Sequence, residues 1–268
     1  MNSLSKCVFP IAGKGTRFYP VTKSIPKEML PVGKKPLLHH AIDEAFGSGL
    51  SDVVLITNKS KKAIQNYFTV VPNTNNENLQ NLNNLISKIR VQYIFQSHML
   101  GLGHAISLIY ELIDNEPFAV ILPDDFCPGT DAVIDQLKVV YQNNPGKCIV
   151  AIEEVPSEKV DQYGIVSFNK TESDKNILKV DGLIEKPDIL IAPSNYAVIG
   201  RYILTPEIFN HIEKKPSSNS KEIQITTALN QLAKLGKVLA VKFKGRRFDC
   251  GNLPGYVQAN LALTDLKI

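Results

Sequence analysis

Short apolar runs alternate with segments of helical periodicity through the first half of the chain. The apolar runs, which predict buried strands, fall at residues 53–56, 91–95, 118–122 and 148–152. Between them, helical patterns cover residues 37–46, 105–113 and 132–141. Strands separated by helices of this length predict βαβ units and right-handed crossovers. We therefore expect an α/β fold with a Rossmann-like, mostly parallel sheet and helices on both faces.

The pattern changes after Glu154. Residues 164–168, 177–184 and 195–204 read as strands linked by polar turns, which predicts an antiparallel or mixed extension of the sheet. A strand at 238–243 and helices at 206–212, 223–235 and from about Pro254 follow. Residues 73–84 and 214–221 carry too little apolar content to pack, and we expect mobile surface there. No linker interrupts the pattern, so we predict one domain over residues 1–268.

A glycine-rich loop follows the first apolar run, which covers residues 6–11. Gly13 and Gly15 allow a close approach of the backbone to a ligand. Thr16, Arg17 and Lys27 add a hydroxyl, a guanidinium and an ammonium, the donors that hold a polyphosphate. We interpret the loop as a nucleotide site, although a Gly-x-Gly sequence after a strand is often only a turn.

The two commonest phosphate-binding motifs do not explain this loop. The loop does not contain the Walker pattern, Gly-x-x-x-x-Gly-Lys-Ser/Thr, and it lacks the third glycine of the dinucleotide fingerprint, Gly-x-Gly-x-x-Gly. Prolines at positions 20, 26 and 31 also disfavour an early helix, since each removes a backbone N–H group. We expect a long, irregular loop.

Composition narrows the class of partner. The 268 residues carry a net charge of +4. The basic residues fall in small groups and do not form the basic stripe with interleaved aromatic residues that is typical of nucleic-acid binding. We expect no nucleic-acid partner, and we interpret Lys59, Lys61 and Lys62 as solvated. Apolar runs are too short for a membrane span, and we expect a cytoplasmic protein without a membrane partner. The four cysteines lack metal or redox spacing and are expected to be reduced.

Two adjacent carboxylates follow the apolar run that ends at Leu122. Open α/β sheets place ligands at the carboxyl ends of their strands, where Asp124 and Asp125 lie. Adjacent side chains diverge, so we expect one of the two to bind Mg²⁺. The alternative is that the pair only caps the following turn. Asp249 is a possible second ligand, and a structural hydrogen bond to its own loop explains it equally well.

Taken together, the motifs resemble those of sugar-1-phosphate nucleotidylyltransferases, and within that family those of the bacterial uridylyltransferases. The resemblance spans nearly the whole chain. In family order the motifs are GKGTR at 13–17, SIPKEMLP at 24–31, YIFQ at 93–96, GLGHA at 101–105, LPDD at 122–125, YG at 163–164, EKP at 185–187, APSNYAVIGR at 192–201, EIQIT at 222–226 and DCG at 249–251.

The resemblance implies a role for individual residues on the nucleotide side, about residues 1–153. Arg17, Lys27 and Asp124, together with Lys186 from the sugar side, are the expected catalytic residues, and Asp124 is the implied magnesium ligand. Gln96 can donate to and accept from the edge of the base. The predicted nucleotide-binding residues are Ala12, Gly13, Gly15, Thr16, Glu28, Gln96 and Gly101.

On the sugar side, about residues 154–268, Glu185 offers a carboxylate to sugar hydroxyls and Lys186 a cation to the phosphate. On sequence alone a solvated ion pair explains these two residues equally well. The resemblance adds Gly164, Asn195 and Val198. One departure is visible, because the uridylyltransferase pattern usually has an aspartate where this chain has Thr227.

The implied activity is transfer of a uridylyl group from UTP to glucose 1-phosphate, giving UDP-glucose and pyrophosphate with Mg²⁺ as cofactor. A homo-oligomer, either dimer or tetramer, is also implied. Two alternatives stay open at this point, namely glucose-1-phosphate thymidylyltransferase and a non-catalytic protein that binds a nucleotide sugar.

Overall fold

The computed structural model describes residues 4–169, 176–216 and 221–265. Its strands are β1 (Lys6–Pro10), β2 (Pro31–Val32), β3 (Lys35–Pro36), β4 (Asp52–Thr57), β5 (Arg90–Phe95), β6 (Phe118–Ile121), β7 (Asp125–Phe126), β8 (Cys148–Glu154), β9 (Gly164–Phe168), β10 (Ile177–Glu185), β11 (Tyr196–Leu204), β12 (Val238–Lys242) and β13 (Phe248–Asp249). Its helices are α1 (Leu37–Gly47), α2 (Lys62–Tyr67), α3 (Glu77–Lys88), α4 (Leu102–Ser107), α5 (Val133–Asn143), α6 (Ile225–Lys234) and α7 (Leu253–Asp265). Short 3-10 helical turns add Thr16–Phe18, Val21–Lys23, Lys27–Met29, Tyr110–Leu112, Ser157–Gln162 and Pro206–Asn210.

The chain forms two compact units that interleave along the sequence. The first, the loop unit, comprises Ser5–Ser97, Leu122–Phe126 and residues 247–265. The second, the strand-rich unit, comprises His98–Ile121 and Cys127–Arg246 within the described ranges. Residues 247–265, which we assigned to the sugar half, therefore lie in the unit that carries the glycine-rich loop. The single domain and its division near residue 153 stay predictions.

The loop unit contains a parallel β-structure, as expected. Strand β4 pairs in parallel with β1 on one side and with β5 on the other. A separate core packs Leu30, Val32 and Leu37 against Phe126 of β7 and Phe248 of β13. Burying each phenylalanine contributes roughly 1.5 to 3 kcal/mol, so this core holds the short β7–β13 pair in place.

The strand-rich unit is mixed, as predicted for the strands after Glu154, but these strands are not confined to an extension of a parallel sheet. Strand β11 lies between β6 and β8 and is antiparallel to both, so it is not an outlying extension. Strand β12 pairs in parallel with β8, while β10 is antiparallel to β12 and to β9. The apolar run of β11 gave no sign of strand direction, because side-chain periodicity is the same in both directions. The mixed α/β class itself is confirmed.

The asparagine-rich segment is not the surface loop that we expected. Residues 77–88 form α3, and the side chain of Asn76 accepts a hydrogen bond from the N–H group of Leu79 at 3.2 Å. Leu82 and Leu85 are buried. Asparagine is a good helix N-cap, so the composition that indicated disorder instead supplies the start of a helix. The second segment expected to be mobile, residues 214–221, lies outside the described residues at 217–220.

The cysteines match the expectation. All four are free, and Cys7, Cys148 and Cys250 are buried. Throughout the part of the chain that the structure describes, no helix has the length and apolar character needed to cross a membrane. The cytoplasmic location stays a prediction.

We predict that Asn76→Ala loosens α3 by about 1 kcal/mol, because it removes the acceptor for an N–H group of the first helical turn. Amide hydrogen exchange within residues 77–88 should accelerate accordingly. Asn78→Ala, which replaces an exposed asparagine inside the same helix, is the matched control. Equal protection in wild type and Asn76→Ala would contradict the capping role.

Candidate active site

The glycine-rich loop follows β1, and its residue Gly15 packs against the 3-10 turn that contains Lys27. Gly15 has φ +66°, and a Cβ added there would lie 3.1 Å from the Cβ of Lys27. The hydroxyl of Thr22 donates a hydrogen bond to the carbonyl oxygen of Gly15 at 2.6 Å. Glycine at position 15 is therefore required by both backbone conformation and close packing. Thr16 and Arg17 follow in an exposed 3-10 turn.

Lys27 and Asp124 form a close ion pair. The Nζ atom of Lys27 donates to Oδ2 of Asp124 at 2.5 Å, and each side chain is 24% exposed. Burial by itself would lower the pKa of Lys27, but the Asp124 carboxylate overrides this and raises that pKa. Burial would raise the pKa of Asp124, and the Lys27 ammonium instead holds it below its usual value. Both groups are charged at neutral pH.

The neighbouring carboxylate points to a different partner. Asp125 is in β7, and its Oδ1 accepts a hydrogen bond from Nε of Arg247 at 2.5 Å. In this pair the side chains are 12% and 6% exposed, respectively. The divergence expected for adjacent aspartates is thus observed, with Asp124 on Lys27 and Asp125 on Arg247.

Asp249 is brought beside Asp124 by the β7–β13 pair. Asp249 stands opposite Asp125 in that pair, and the N–H group of Cys250 donates to the carbonyl oxygen of Asp124 at 2.7 Å. A Cβ added at Gly251 would lie 2.9 Å from Oδ1 of Asp249 and 3.1 Å from Oδ2 of Asp124. The same point is 3.7 Å from Nη1 of Arg17. The carboxylates of Asp124 and Asp249 and the guanidinium of Arg17 therefore surround a small space into which Gly251 projects no side chain.

This space fits a hard divalent cation that shares its coordination with phosphate. Magnesium is commonly held by one or two carboxylates and completes its shell with water and phosphate oxygens. Among the described residues, no group of three or more His, Cys, Asp or Glu is placed to hold a metal ion. The donor set is therefore unlike an all-protein metal cage, and Asp124 with Asp249 is the pair that could hold magnesium.

Glu28 and Lys61 lie behind the loop as a buried ion pair. Glu28 is 1% exposed and Lys61 is 8% exposed, with Nζ 2.8 Å from Oε2 of Glu28. Burial raises the pKa of Glu28 and lowers that of Lys61, in each case against the effect of the partner charge. The expectation that Lys61 is solvated is wrong, because its ammonium finds acceptors inside the protein. Nucleotide binding by Glu28 stays a prediction.

The residues predicted to bind the base fall into both units. In the loop unit, Gln96 follows β5 and is 4% exposed. In the strand-rich unit, Gly101 has φ +93°, and added Cβ atoms at Gly101 and Gly103 would each lie 2.8 Å from the carbonyl oxygen of Ile223. The N–H group of Gly103 donates to that same oxygen at 2.8 Å. These glycines thus have a packing role, and the contact of Gly101 with a base stays a prediction.

Glu185 and its neighbours form the candidate sugar site in the strand-rich unit. The hydroxyl of Thr226 donates to Oε2 of Glu185 at 2.6 Å. A Cβ added at Gly164 would lie 3.1 Å from Oγ1 of Thr226 and 3.3 Å from Oε2 of Glu185. Thr226 is not among the predicted site residues, although it lies inside the EIQIT motif at 222–226.

Lys186 adopts a backbone conformation that lysine rarely takes. Its φ is +46°, and its N–H group donates to the carbonyl oxygen of Tyr163 at 2.9 Å. The ammonium, on a side chain 50% exposed, lies 3.9 Å from Oε1 of Glu185. Strained non-glycine residues cluster at functional sites, and this one presents a cation next to a carboxylate.

Asn195 and Val198 lie at the start of β11. The side-chain amide of Asn195 donates to Oε1 of Glu154 at 2.9 Å, and the backbone carbonyl oxygen of Asn195 accepts from the N–H group of Val155 at 2.9 Å. Val198 pairs with Ile152 at the edge of a register shift in the β11–β8 ladder. Their roles toward a sugar stay predictions.

Comparison with known proteins gives the family. A family model described as nucleotidyl transferase matches residues 11–265. A UTP–glucose-1-phosphate uridylyltransferase of Pseudomonas aeruginosa is 45% identical over 267 residues, covering 96% of this chain and 94% of that protein. The chain therefore belongs to the nucleotidyl transferase family.

Solved structures agree with this assignment. A crystal structure of UDP-glucose pyrophosphorylase complexed with UDP-glucose has a TM-score of 0.91 and 44% identity, covering 99% of this chain and 100% of that one. A UTP-bound UDP-glucose pyrophosphorylase from Acinetobacter baumannii has a TM-score of 0.84 and 34% identity, covering 97% of this chain and 93% of that one.

Gly13 allows a direct test of backbone contact with the nucleotide. An added Cβ meets nothing within 4 Å, so Gly13→Ala should leave the melting temperature unchanged. If the Gly13 backbone approaches the nucleotide as predicted, the methyl group should weaken UTP binding measured by calorimetric titration. Gly47→Ala, at a position equally free of neighbours, is the control. Unaltered UTP affinity in Gly13→Ala would remove Gly13 from the contact surface.

Proposed function

We propose that this chain transfers a uridylyl group from UTP to glucose 1-phosphate, giving UDP-glucose and pyrophosphate. The observation that carries the proposal is the convergence of Asp124, Asp249, Arg17 and Lys27 on the space beside Gly251. It is supported by the uridylyltransferase name of the P. aeruginosa relative and by the UDP-glucose and UTP named for the two similar structures. The predicted dimer or tetramer and the cytoplasmic location are retained as parts of this proposal.

The loop unit supplies the groups for the triphosphate. Arg17 and Lys27 place two cations by the loop, where they stabilise the negative charge of the phosphates and of the departing pyrophosphate. Asp124 and Asp249 would hold Mg²⁺, which when bound neutralises phosphate charge and orients the reacting oxygens. The ion pair with Lys27 keeps Asp124 deprotonated and directed toward this space.

The strand-rich unit supplies the groups for the sugar phosphate. Glu185, oriented by Thr226, accepts hydrogen bonds from sugar hydroxyls, and Lys186 binds the phosphate. A phosphate oxygen of glucose 1-phosphate forms a bond to the α-phosphorus of UTP as the bond to pyrophosphate breaks. The attacking phosphate is already ionised, so no side chain has to remove a proton.

We expect purified protein to release pyrophosphate from UTP and glucose 1-phosphate with Mg²⁺, and to lose this activity in EDTA. Product identity is checked by chromatography of UDP-glucose, with dTTP, ATP and CTP assayed in parallel under matched conditions. Preference for dTTP would replace the uridylyl assignment with the thymidylyl alternative. Nucleotide-sugar binding without turnover would favour the non-catalytic alternative.

We further expect Asp124→Asn and Asp125→Asn to damage different properties. Asp124→Asn should reduce kcat by about a hundredfold or more, because a neutral amide is a poor magnesium ligand and no longer holds Lys27. Asp125→Asn should mainly lower stability, because it weakens the buried pair with Arg247. Steady-state kinetics across Mg²⁺ concentrations and thermal melting separate the two effects. The reverse ranking in kcat would move the metal role to Asp125.

A further inference from the structure

The buried side chain of Lys61 contacts both ends of residues 11–28, the segment that contains the glycine-rich loop. Its ammonium donates to the carbonyl oxygen of Ile11 at 2.6 Å and to Oε2 of Glu28 at 2.8 Å. Ile11 begins the loop, and Glu28 directly follows Lys27, which is paired with Asp124. One buried cation therefore fixes both the entry of the loop and the turn that carries Lys27.

Asn58 lies with Lys61 in the segment between β4 and α2, and it makes a second contact, with the next peptide group of the loop. The side-chain amide of Asn58 donates to the carbonyl oxygen of Ala12 at 3.0 Å. The N–H group of Ile11 is bound by the carbonyl oxygen of Ile56 in β4 at 2.8 Å. The peptide planes immediately before Gly13 are thus fixed by residues 56–61.

The energetics of this pair favour a role beyond stability. Oxygen Oε1 of Glu28 is buried and has no hydrogen-bond partner among the described residues. A buried ion pair with an unsatisfied oxygen contributes little net stability, because the desolvation of both charges offsets their attraction. An apolar pair of similar volume would stabilise the fold at least as well, but it could not hold the carbonyl oxygen of Ile11.

We propose that Lys61 is a positioning residue for uridylyl transfer, acting with Glu28 to hold residues 11–17 and Lys27 in the geometry that receives the triphosphate. This inference rests on the proposed function and adds one residue, Lys61, outside the predicted contact surface. Lys61 itself touches neither substrate nor metal in this role. Misplacement of contact groups by about 1 Å can reduce catalysis by roughly a hundredfold.

The first test compares two adjacent lysines. Lys61→Met removes the ammonium while retaining most of the apolar stem, and Lys62→Met makes the same change at an exposed position. We expect Lys61→Met to raise the KM for UTP and lower kcat, with a combined loss in kcat/KM for UTP on the order of tenfold to a hundredfold. Glucose 1-phosphate binding, titrated separately, should be unchanged, and Lys62→Met should match the wild type.

A double variant separates positioning from folding. Lys61→Met alone leaves the Glu28 carboxylate buried without its cation, which lowers the melting temperature. Glu28→Gln combined with Lys61→Met removes that stranded charge, so the melting temperature should recover toward the wild-type value. The defect in UTP affinity and kcat should persist, because neither variant can hold the carbonyl oxygen of Ile11.

Several results would overturn the proposal. One is wild-type kinetics in Lys61→Met. Another is recovery of both UTP affinity and stability in the double variant. The third is failure of both variants to fold, which would assign the Glu28–Lys61 pair to the fold alone. If wild-type protein makes no UDP-glucose, the proposed function fails instead. UTP titration of the same variants then decides the positioning role independently of turnover.

Discussion

The ion pair between Lys27 and Asp124 is the interaction on which the candidate site depends. It joins a turn of the glycine-rich segment to the end of an apolar strand, across 97 residues of sequence. The carboxylate keeps Lys27 charged despite burial, and Lys27 keeps Asp124 ionised. A nucleotide site needs both properties at once, since its cations must attract phosphate while its carboxylates attract metal. Because Lys27 and Asp124 are paired, the ammonium and the carboxylate lie close together and both stay charged.

Local pattern predicted much of this arrangement. The bounds of β9 follow from its apolar run and the polar turns on either side, and the divergence of Asp124 from Asp125 was expected for adjacent side chains. The position of the glycine-rich loop could be predicted because an apolar run, two glycines and several prolines follow one another directly in the sequence. The family motifs led to the predicted residues of the nucleotide and sugar sites, but not to the contacts that orient them.

The features that the sequence did not reveal depend on long-range contacts. Lys61 lies in a run of lysines typical of a solvated surface, and only the folded loop supplies the acceptors that bury it. Thr226 donates a hydrogen bond to Glu185, 41 residues away, and no local pattern indicates this contact. The central place of β11 is set by its partners on both sides, which composition does not specify. In each case the tertiary partner, rather than propensity, decides the outcome.

The pairing of β7 with β13 also has a consequence for the order in which the chain matures. Asp125 and its partner Arg247 are 122 residues apart. At synthesis rates of about 5 to 20 residues per second, roughly 6 to 24 s separate the appearance of the two on the ribosome. Through that interval Asp124 can already meet Lys27, whereas Asp249 and Gly251 do not yet exist. The pair of Asp124 and Asp249 is therefore among the last features of the nascent chain to be completed, and a chain released early would carry the glycine-rich loop without the second carboxylate of the candidate magnesium site.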